Sequence, residues 1–142
     1  MLFRSKLREQ ILDVMALEGI RANADDVVVT TGSQQALDLI SRIFIDPGDV
    51  VLAEAPSYVG ALGTFQQYQA QVVHIALDDH GLIPEALREA IRTVRFSGRK
   101  IKFLYLIPNY QNPSGVLLSA DRRTEILEIC RNEKIFIVED NP

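Results

Sequence analysis

Short apolar runs alternate with amphipathic stretches along this chain of 142 residues. In the first stretch Leu7, Ile11, Val14 and Met15 recur at helical spacing, and this pattern ends near Gly19. The same period predicts further helices at 33–44, 58–68, 84–94 and 119–132. Runs rich in β-branched and other apolar residues predict strands at 27–30, 50–53, 71–77, 101–107 and 135–138.

The regular alternation of strands and helices predicts an α/β fold. We expect three layers, α/β/α, in which right-handed crossovers build a mainly parallel sheet with helices on both faces. The run at 101–107 is apolar almost throughout, so we expect a strand that is buried on both faces. There are no repeats, low-complexity tracts or linkers, which indicates one domain, or part of one, over residues 1–142.

Composition narrows the possible functions. Hydrophobic residues make up 47% and charged residues 24% of the chain, and the net charge of −4 argues against a nucleic-acid or membrane-surface partner. The single cysteine, Cys130, excludes an internal disulfide and is expected to be buried in a helix. No histidine or acidic spacing indicates a metal site. No apolar run is long enough to span a membrane and no secretory signal follows Met1, so we expect a cytoplasmic location.

A first candidate site lies where the predicted strand 27–30 leads into the helix 33–44. Gly32 permits a tight turn, and Ser33 and Gln34 then fall in the first turn of the helix. Backbone N–H groups at a helix N-terminus, together with the helix dipole, form a ready site for a phosphate. The alternative interpretation is that Ser33 only caps the helix.

Three more polar or aromatic residues follow predicted strands. Tyr58 could lie flat on a planar ligand, the Asn112 amide could hydrogen-bond a ligand oxygen, and Asp140 could pair with a cationic ring nitrogen. Each has a simpler alternative: a packed loop aromatic, a turn at Asn112–Gly115 and a helix N-cap, respectively. By strand alternation, Glu139 should point to the opposite face from Asp140.

Taken in order, four segments resemble the fold-type I aminotransferases that depend on pyridoxal 5′-phosphate (PLP). The segments are Thr-Gly-Ser-Gln-Gln at 31–35, Glu-Ala-Pro-Ser-Tyr at 54–58, Pro-Asn-Tyr-Gln-Asn-Pro-Ser-Gly at 108–115 and Val-Glu-Asp-Asn-Pro at 138–142. The sequence is most similar to the branch containing 2-aminoadipate and kynurenine aminotransferases and the aminotransferase-like half of MocR regulators. The resemblance runs from about Leu7 to Pro142.

The resemblance implies a role for each matching residue. Ser33 and Gln34 would hold the PLP phosphate through backbone N–H groups, and Tyr58 would stack on the pyridine ring. Asn112 would hydrogen-bond the phenolic oxygen of the ring, and Asp140 would pair with its protonated nitrogen. An anion at that position keeps the ring cationic and able to accept electrons from the substrate.

The catalytic lysine of this family follows the aspartate in sequence, whereas Lys6, Lys100, Lys102 and Lys134 all precede Asp140. We therefore expect a partial PLP-binding large domain that lacks a catalytic residue of its own and is inactive alone. The resemblance implies that the intact protein transfers amino groups between amino acids and 2-oxo acids, and that it is a homodimer. A MocR-type transcription regulator and a PLP-dependent lyase of the same fold remain alternatives.

The resemblance also implies an order for the strands. Strand 135–138 should pair with 101–107, which should pair with 50–53, which in turn should pair with 71–77. In the family the neighbours of the strand at 27–30 come later in sequence, so we expect this segment to have no ladder partner.

Overall fold

The computed structural model describes the backbone of residues 2–141 and the side chains of residues 6–141. Met1 and Pro142, the last residue of the fourth motif, lie outside the described residues. The chain divides into two compact units, Met1–Ala36 and Leu37–Pro142.

The first unit is mainly helical. Helix α1 (Leu2–Leu17) is followed by a 3₁₀ turn at Ala24–Asp26, and helix α2 (Ser33–Phe44) begins at the end of the unit. The 3₁₀ turn is capped by Asn23, whose backbone N–H donates to the Asp26 carboxylate at 2.8 Å. Helices α1 and α2 confirm the helices predicted at the start of the chain and at 33–44.

The predicted strand at 27–30 is wrong. These residues form no ladder with any part of residues 2–141, and Val28 and Val29 are 71% and 52% exposed. β-Branched residues favour extended backbone, but a strand also requires a hydrogen-bonding neighbour, and no described strand supplies one. The expectation that this segment would have no ladder partner is confirmed.

The second unit contains a five-stranded sheet in the order β3-β2-β1-β4-β5. Its strands are β1 (Val50–Ala55), β2 (Gln71–Asp78), β3 (Gly81–Leu82), β4 (Ile101–Leu106) and β5 (Phe136–Glu139). All pairs are parallel except β2–β3, a short antiparallel pair that the sequence interpretation missed. The predicted order of the four longer strands is confirmed.

Helices cover both faces of this sheet, as expected for a three-layer α/β/α fold. Helices α4 (Pro84–Phe96) and α5 (Ala120–Glu133) share one core with Val50, Leu52 and Leu104. Helix α3 (Val59–Gln67) and the part of α2 from Leu37 onward share the other core with Val51 and Tyr105. Strand β4 contributes buried residues to both cores, which confirms that it is buried on both faces.

Local sequence explains how α4 forms and docks. Pro84 occupies its first turn, where no backbone N–H is needed, and Glu85 follows at the positive end of the helix dipole. Leu87, Ile91 and Val94 then recur at helical spacing and are at most 2% exposed. Burying this stripe of side chains attaches the helix to the sheet.

Helix α5 begins at Ala120, one residue after the predicted start. Ser119 is the N-cap residue, but its hydroxyl makes no capping hydrogen bond. Arg122 makes two hydrogen bonds to the Asp78 carboxylate, and this partner lowers the pKa of Asp78 to about 2. Cys130 is buried, as predicted.

None of the helices within residues 2–141 is long and apolar enough to cross a bilayer.

Candidate functional site

The carboxyl ends of β1, β4 and β5 meet at one edge of the sheet. Ala53 of β1 pairs with Tyr105 of β4, and Tyr105 also pairs with Val138 of β5. Tyr58, Asn112 and Asp140 follow these three strands in turn. Parallel strands therefore bring the segments that bear these residues to the same edge, which is where open α/β sheets bind ligands.

Asp140 is fixed by its backbone and by its side chain. Its N–H donates to the Leu106 carbonyl at 2.9 Å, and its Oδ2 accepts a hydrogen bond of 2.6 Å from the Tyr105 hydroxyl. Within residues 6–141 nothing donates to the other carboxylate oxygen, Oδ1. Burial, and then the bond to Asp140, raise the pKa of Tyr105, so its phenol stays protonated and remains a donor.

Glu139 lies on the opposite face of the sheet from Asp140, as alternation predicts. It lines a cavity with Leu106, Ile137 and residues of α5, whereas Asp140 contacts Tyr105 on the α3 face. A one-residue shift in register would exchange the two carboxylates. The register of β5 therefore determines which acid faces the site.

Tyr58 is the N-cap residue of α3, and it packs against the core on the α3 face, the face that Asp140 shares. Its ring lies over Gly60: a Cβ at position 60 would come within 2.5 Å of the Tyr58 Cζ and hydroxyl oxygen. No L-residue with a side chain fits there unless the ring moves. The glycine two residues downstream therefore sets the position of the Tyr58 ring.

Asn112 is exposed on the loop 108–118 that follows β4. The loop is closed at its base by a hydrogen bond of 2.9 Å from Leu118 N–H to the Pro108 carbonyl. Arg123 of α5 also donates to the carbonyls of both residues, through Nε to Leu118 and Nη2 to Pro108. The Asn112–Pro113 bond is cis.

A buried polar pair lies beneath this loop. Glu54 and Gln111 are only 1% and 2% exposed, and the Glu54 carboxylate accepts from the Ile107 N–H at 2.9 Å. Burial raises the pKa of Glu54 to about 7, although its hydrogen bonds with Ile107 and Gln111 oppose the rise. Sequence reasoning did not assign either residue a function.

Ser33 and Gln34 lie in the first unit and are described within it. Both are exposed in the first turn of α2, directly after Gly32, whose φ of +80° is readily adopted only by glycine. The Gln35 side chain accepts a hydrogen bond of 2.6 Å from the Thr31 N–H at the same helix end. The turn predicted from the sequence is therefore formed.

The sequence matches the model of the family "Aminotransferase class I and II" over residues 3–141. The chain belongs to this family. Among its relatives, aromatic-amino-acid aminotransferase 1 of Thermococcus litoralis is 46% identical over 117 residues. That match covers 82% of this chain and 28% of the relative, so the chain spans about a third or less of the length of the curated relatives that it matches first.

Solved aminotransferase structures agree with the fold. An archaeal alanine:glyoxylate aminotransferase superimposes with a TM-score of 0.93 at 37% identity, covering 96% of this chain and 34% of the other. LysN, an alpha-aminoadipate aminotransferase from Thermus thermophilus, superimposes with a TM-score of 0.80 at 36% identity, covering 96% and 32%. The LysN structure is a complex with N-(5′-phosphopyridoxyl)-L-leucine.

Three polar residues near the site, Tyr105, Glu54 and Gln111, were not identified as functional from the sequence. Tyr105 lies in an apolar strand, two residues after Phe103 and on the same face. This alternation was the only sequence signal for the face on which its hydroxyl lies. Glu54 ends the apolar run Val50–Ala53, which is an unusual place for a carboxylate. Gln111 carries no signal of its own, because glutamine is common in exposed loops.

Proposed function

We propose that these residues belong to the PLP-binding large domain of an aminotransferase, which transfers an amino group between an amino acid and a 2-oxo acid. The observation that carries the proposal is the Asp140 carboxylate at the edge of the sheet, which accepts from the Tyr105 hydroxyl through Oδ2 and receives no donor at Oδ1 from residues 6–141. A partly buried carboxylate of this kind is well suited to pair with a cationic ring nitrogen.

Two further observations test whether the residues present suit a flat, polar cofactor. The space above Gly60 accommodates the Tyr58 ring, which would supply an aromatic surface for a planar ring. Ser57 is 6% exposed, and its buried hydroxyl has no hydrogen-bond partner among the described residues. Buried polar atoms are normally paired, so an unpaired hydroxyl next to Tyr58 is consistent with a site that is completed by a ligand.

In this proposal each residue contributes one interaction. Ser33 and Gln34 bind the cofactor phosphate at the N-terminus of α2, Tyr58 stacks on the ring, and Asn112 donates its amide to the ring's phenolic oxygen. Asp140 holds a proton on the ring nitrogen, while Tyr105 orients the carboxylate. When bound, PLP withdraws electrons from the α-carbon of the amino acid.

Three parts of the proposal concern the protein beyond this site. Residues 1–142 are assigned to one part of the large domain, and the catalytic lysine is not among them, because no lysine follows Asp140 in the sequence. The substrates are an amino acid and a 2-oxo acid. The assembly that we expect is a homodimer.

The proposal is tested by an amino-transfer assay on the protein expressed from its complete reading frame. With PLP, a panel of amino acids and 2-oxoglutarate, we expect formation of glutamate that depends on the added amino acid. PLP binding without any amino transfer would contradict the enzymatic proposal and favour a regulator. Failure to bind PLP would contradict the cofactor assignment itself.

A further inference from the structure

The buried amide of Gln111 connects two segments that carry separate site residues. Its Nε2 donates to the Pro56 carbonyl at 2.7 Å, two residues before Tyr58. Gln111 itself immediately precedes Asn112 in the chain. One side chain therefore links the segment after β1 to the loop after β4.

Three hydrogen bonds hold this amide. The nitrogen donates to the Pro56 carbonyl. The oxygen accepts from the backbone N–H of Ser114 at 3.0 Å and from its hydroxyl at 2.6 Å. Since a backbone N–H can only donate, the orientation of the amide is determined by its surroundings.

Glu54 makes a second link between the same two segments. Its Oε2 accepts from the Ile107 N–H, where the chain leaves β4, so the carboxylate joins the ends of β1 and β4. Loop backbone bonds surround the same point: Gln111 N–H donates to the Val116 carbonyl at 3.0 Å, and Gly115 N–H to the Gln111 carbonyl at 2.5 Å. A buried polar group that loses its partner is costly, so this network resists displacement.

We propose that Glu54 and Gln111 form a clamp that fixes the distance between the segment bearing Tyr58 and the loop bearing Asn112, and that both are positioning residues for the ring of the cofactor. This inference rests on the proposed function. The Glu54–Gln111 clamp touches neither the substrate nor the cofactor, and it acts through the two residues that do. Its effect should therefore appear first as loop order and second as affinity for PLP.

The decisive variant is Gln111→Glu, which keeps the size of the side chain but removes the donor to the Pro56 carbonyl and adds a second buried carboxyl group. In the full protein without PLP, we expect amide hydrogen exchange at Ser114 and Gly115 to rise about fivefold or more, as expected for the loss of the hydrogen bond to the Pro56 carbonyl. Exchange at Phe103 and Leu104, inside β4, should stay within about twofold, because local opening does not require the sheet to unfold. With PLP added, Kd should rise by a similar factor.

A double variant separates the lost bond from charge repulsion. In Glu54→Gln, Gln111→Glu the pair again carries a single carboxylate and Ser114 can still donate to it, but the bond to Pro56 stays lost. We expect loop exchange and the Kd for PLP to stay raised; a full return to the wild-type values would show that charge repulsion caused the change, and would overturn the clamp. If Gln111→Glu does not fold, Ser114→Ala replaces it as the test variant. It removes only the hydroxyl donor of an exposed residue, so we expect loop exchange to rise, but by less than the factor given for Gln111→Glu.

The matched control is Gln10→Glu, the same substitution on an exposed position of α1, and it should change neither measurement. Unchanged exchange at Ser114 and Gly115 in Gln111→Glu would overturn the clamp. An equal rise inside β4, or raised loop exchange with an unchanged Kd for PLP, would overturn its positioning role. A wild-type protein that does not bind PLP would overturn the proposed function instead, whatever the loop exchange shows.

Discussion

Single side chains determine whether the sheet edge can receive a flat, charged ring. The Tyr105 hydroxyl orients the Asp140 carboxylate from below, and Gly60 leaves the space that the Tyr58 ring occupies. In the proposed site neither supporting residue would take part in the reaction itself. Both act by holding a neighbour in position, which makes their effects separable by substitution.

Replacing Gly60 by alanine should displace the Tyr58 ring and weaken PLP binding. The added Cβ would come within 2.5 Å of the ring, and the ring is the far end of a movable side chain, so the protein should still fold. Loss of one aromatic contact is worth roughly 0.5–1.5 kcal/mol, or up to about tenfold in Kd. A fluorescence titration with PLP measures the Kd of the variant and of the wild type.

The matched control is Gly63→Ala in the same helix, where a Cβ would have nothing within 4 Å. It should leave the Kd for PLP unchanged and raise stability by roughly 0.5–1 kcal/mol, since alanine is the better helix former. Equal PLP affinity in the two variants would argue against a role for the Tyr58 ring.

Asp140→Asn should impair amino transfer far more than Asn112→Ala. The first change removes the charge that keeps the ring nitrogen protonated, whereas the second removes one neutral hydrogen bond of about 1 kcal/mol. Single-turnover rates in the full protein provide the comparison. Similar losses for the two variants would contradict the assigned roles.

At the scale of elements, the site depends on the order and register of three parallel strands. The apolar runs located the strands, whereas their order was predicted from the resemblance to the aminotransferase family that the four motifs carry. The sequence pattern failed at 27–30, where the residues favour a strand but no described neighbour pairs with them. It also could not predict that Gln111 is buried, because burial there results from Glu54 and Pro56, more than fifty residues earlier.

The buried Glu54 at the end of β1 should make stability depend on pH in a defined direction. Its pKa rises from 4.5 to about 7 on folding, so the folded state binds the extra proton between these values. This proton binding adds up to about 3 kcal/mol to the free energy of unfolding. The full amount is present below pH 4.5 and is lost as pH rises through about 7. Tyr105, the other titratable neighbour, stays protonated throughout this range because its pKa is raised.

Urea unfolding of the wild type and of Glu54→Gln at about pH 5 and about pH 8 isolates this contribution. The wild type should lose stability between the two pH values relative to the variant, because glutamine cannot titrate. The opposite sign, or parallel pH profiles, would show that Glu54 is already ionised in the folded protein at the lower pH.

At the scale of the whole molecule, a chain of these 142 residues alone should not transfer amino groups. The catalytic lysine of the family follows the aspartate, and no lysine follows Asp140 here. Turnover clearly above that of free PLP, or borohydride trapping of PLP on a single lysine, would contradict this expectation.

The same chain should be aggregation-prone or partly unfolded when isolated. Val28 and Val29 are exposed in a segment without a ladder partner among residues 2–141, and Phe136 on the edge strand β5 is 67% exposed. Unpaired extended segments and open sheet edges favour association. A sharp two-state unfolding transition of a monomer, observed by sedimentation and circular dichroism, would oppose this prediction.

The central claim is that the carboxyl edge of β1, β4 and β5 binds PLP, and a crystal structure of the full protein grown with PLP tests it most directly. We predict the pyridine nitrogen within hydrogen-bonding distance of Asp140, the ring against Tyr58, the phenolic oxygen at the Asn112 amide and the phosphate at the N–H groups of Ser33 and Gln34. PLP bound elsewhere, or Asn112 and Asp140 facing opposite sides of the sheet, would contradict the account.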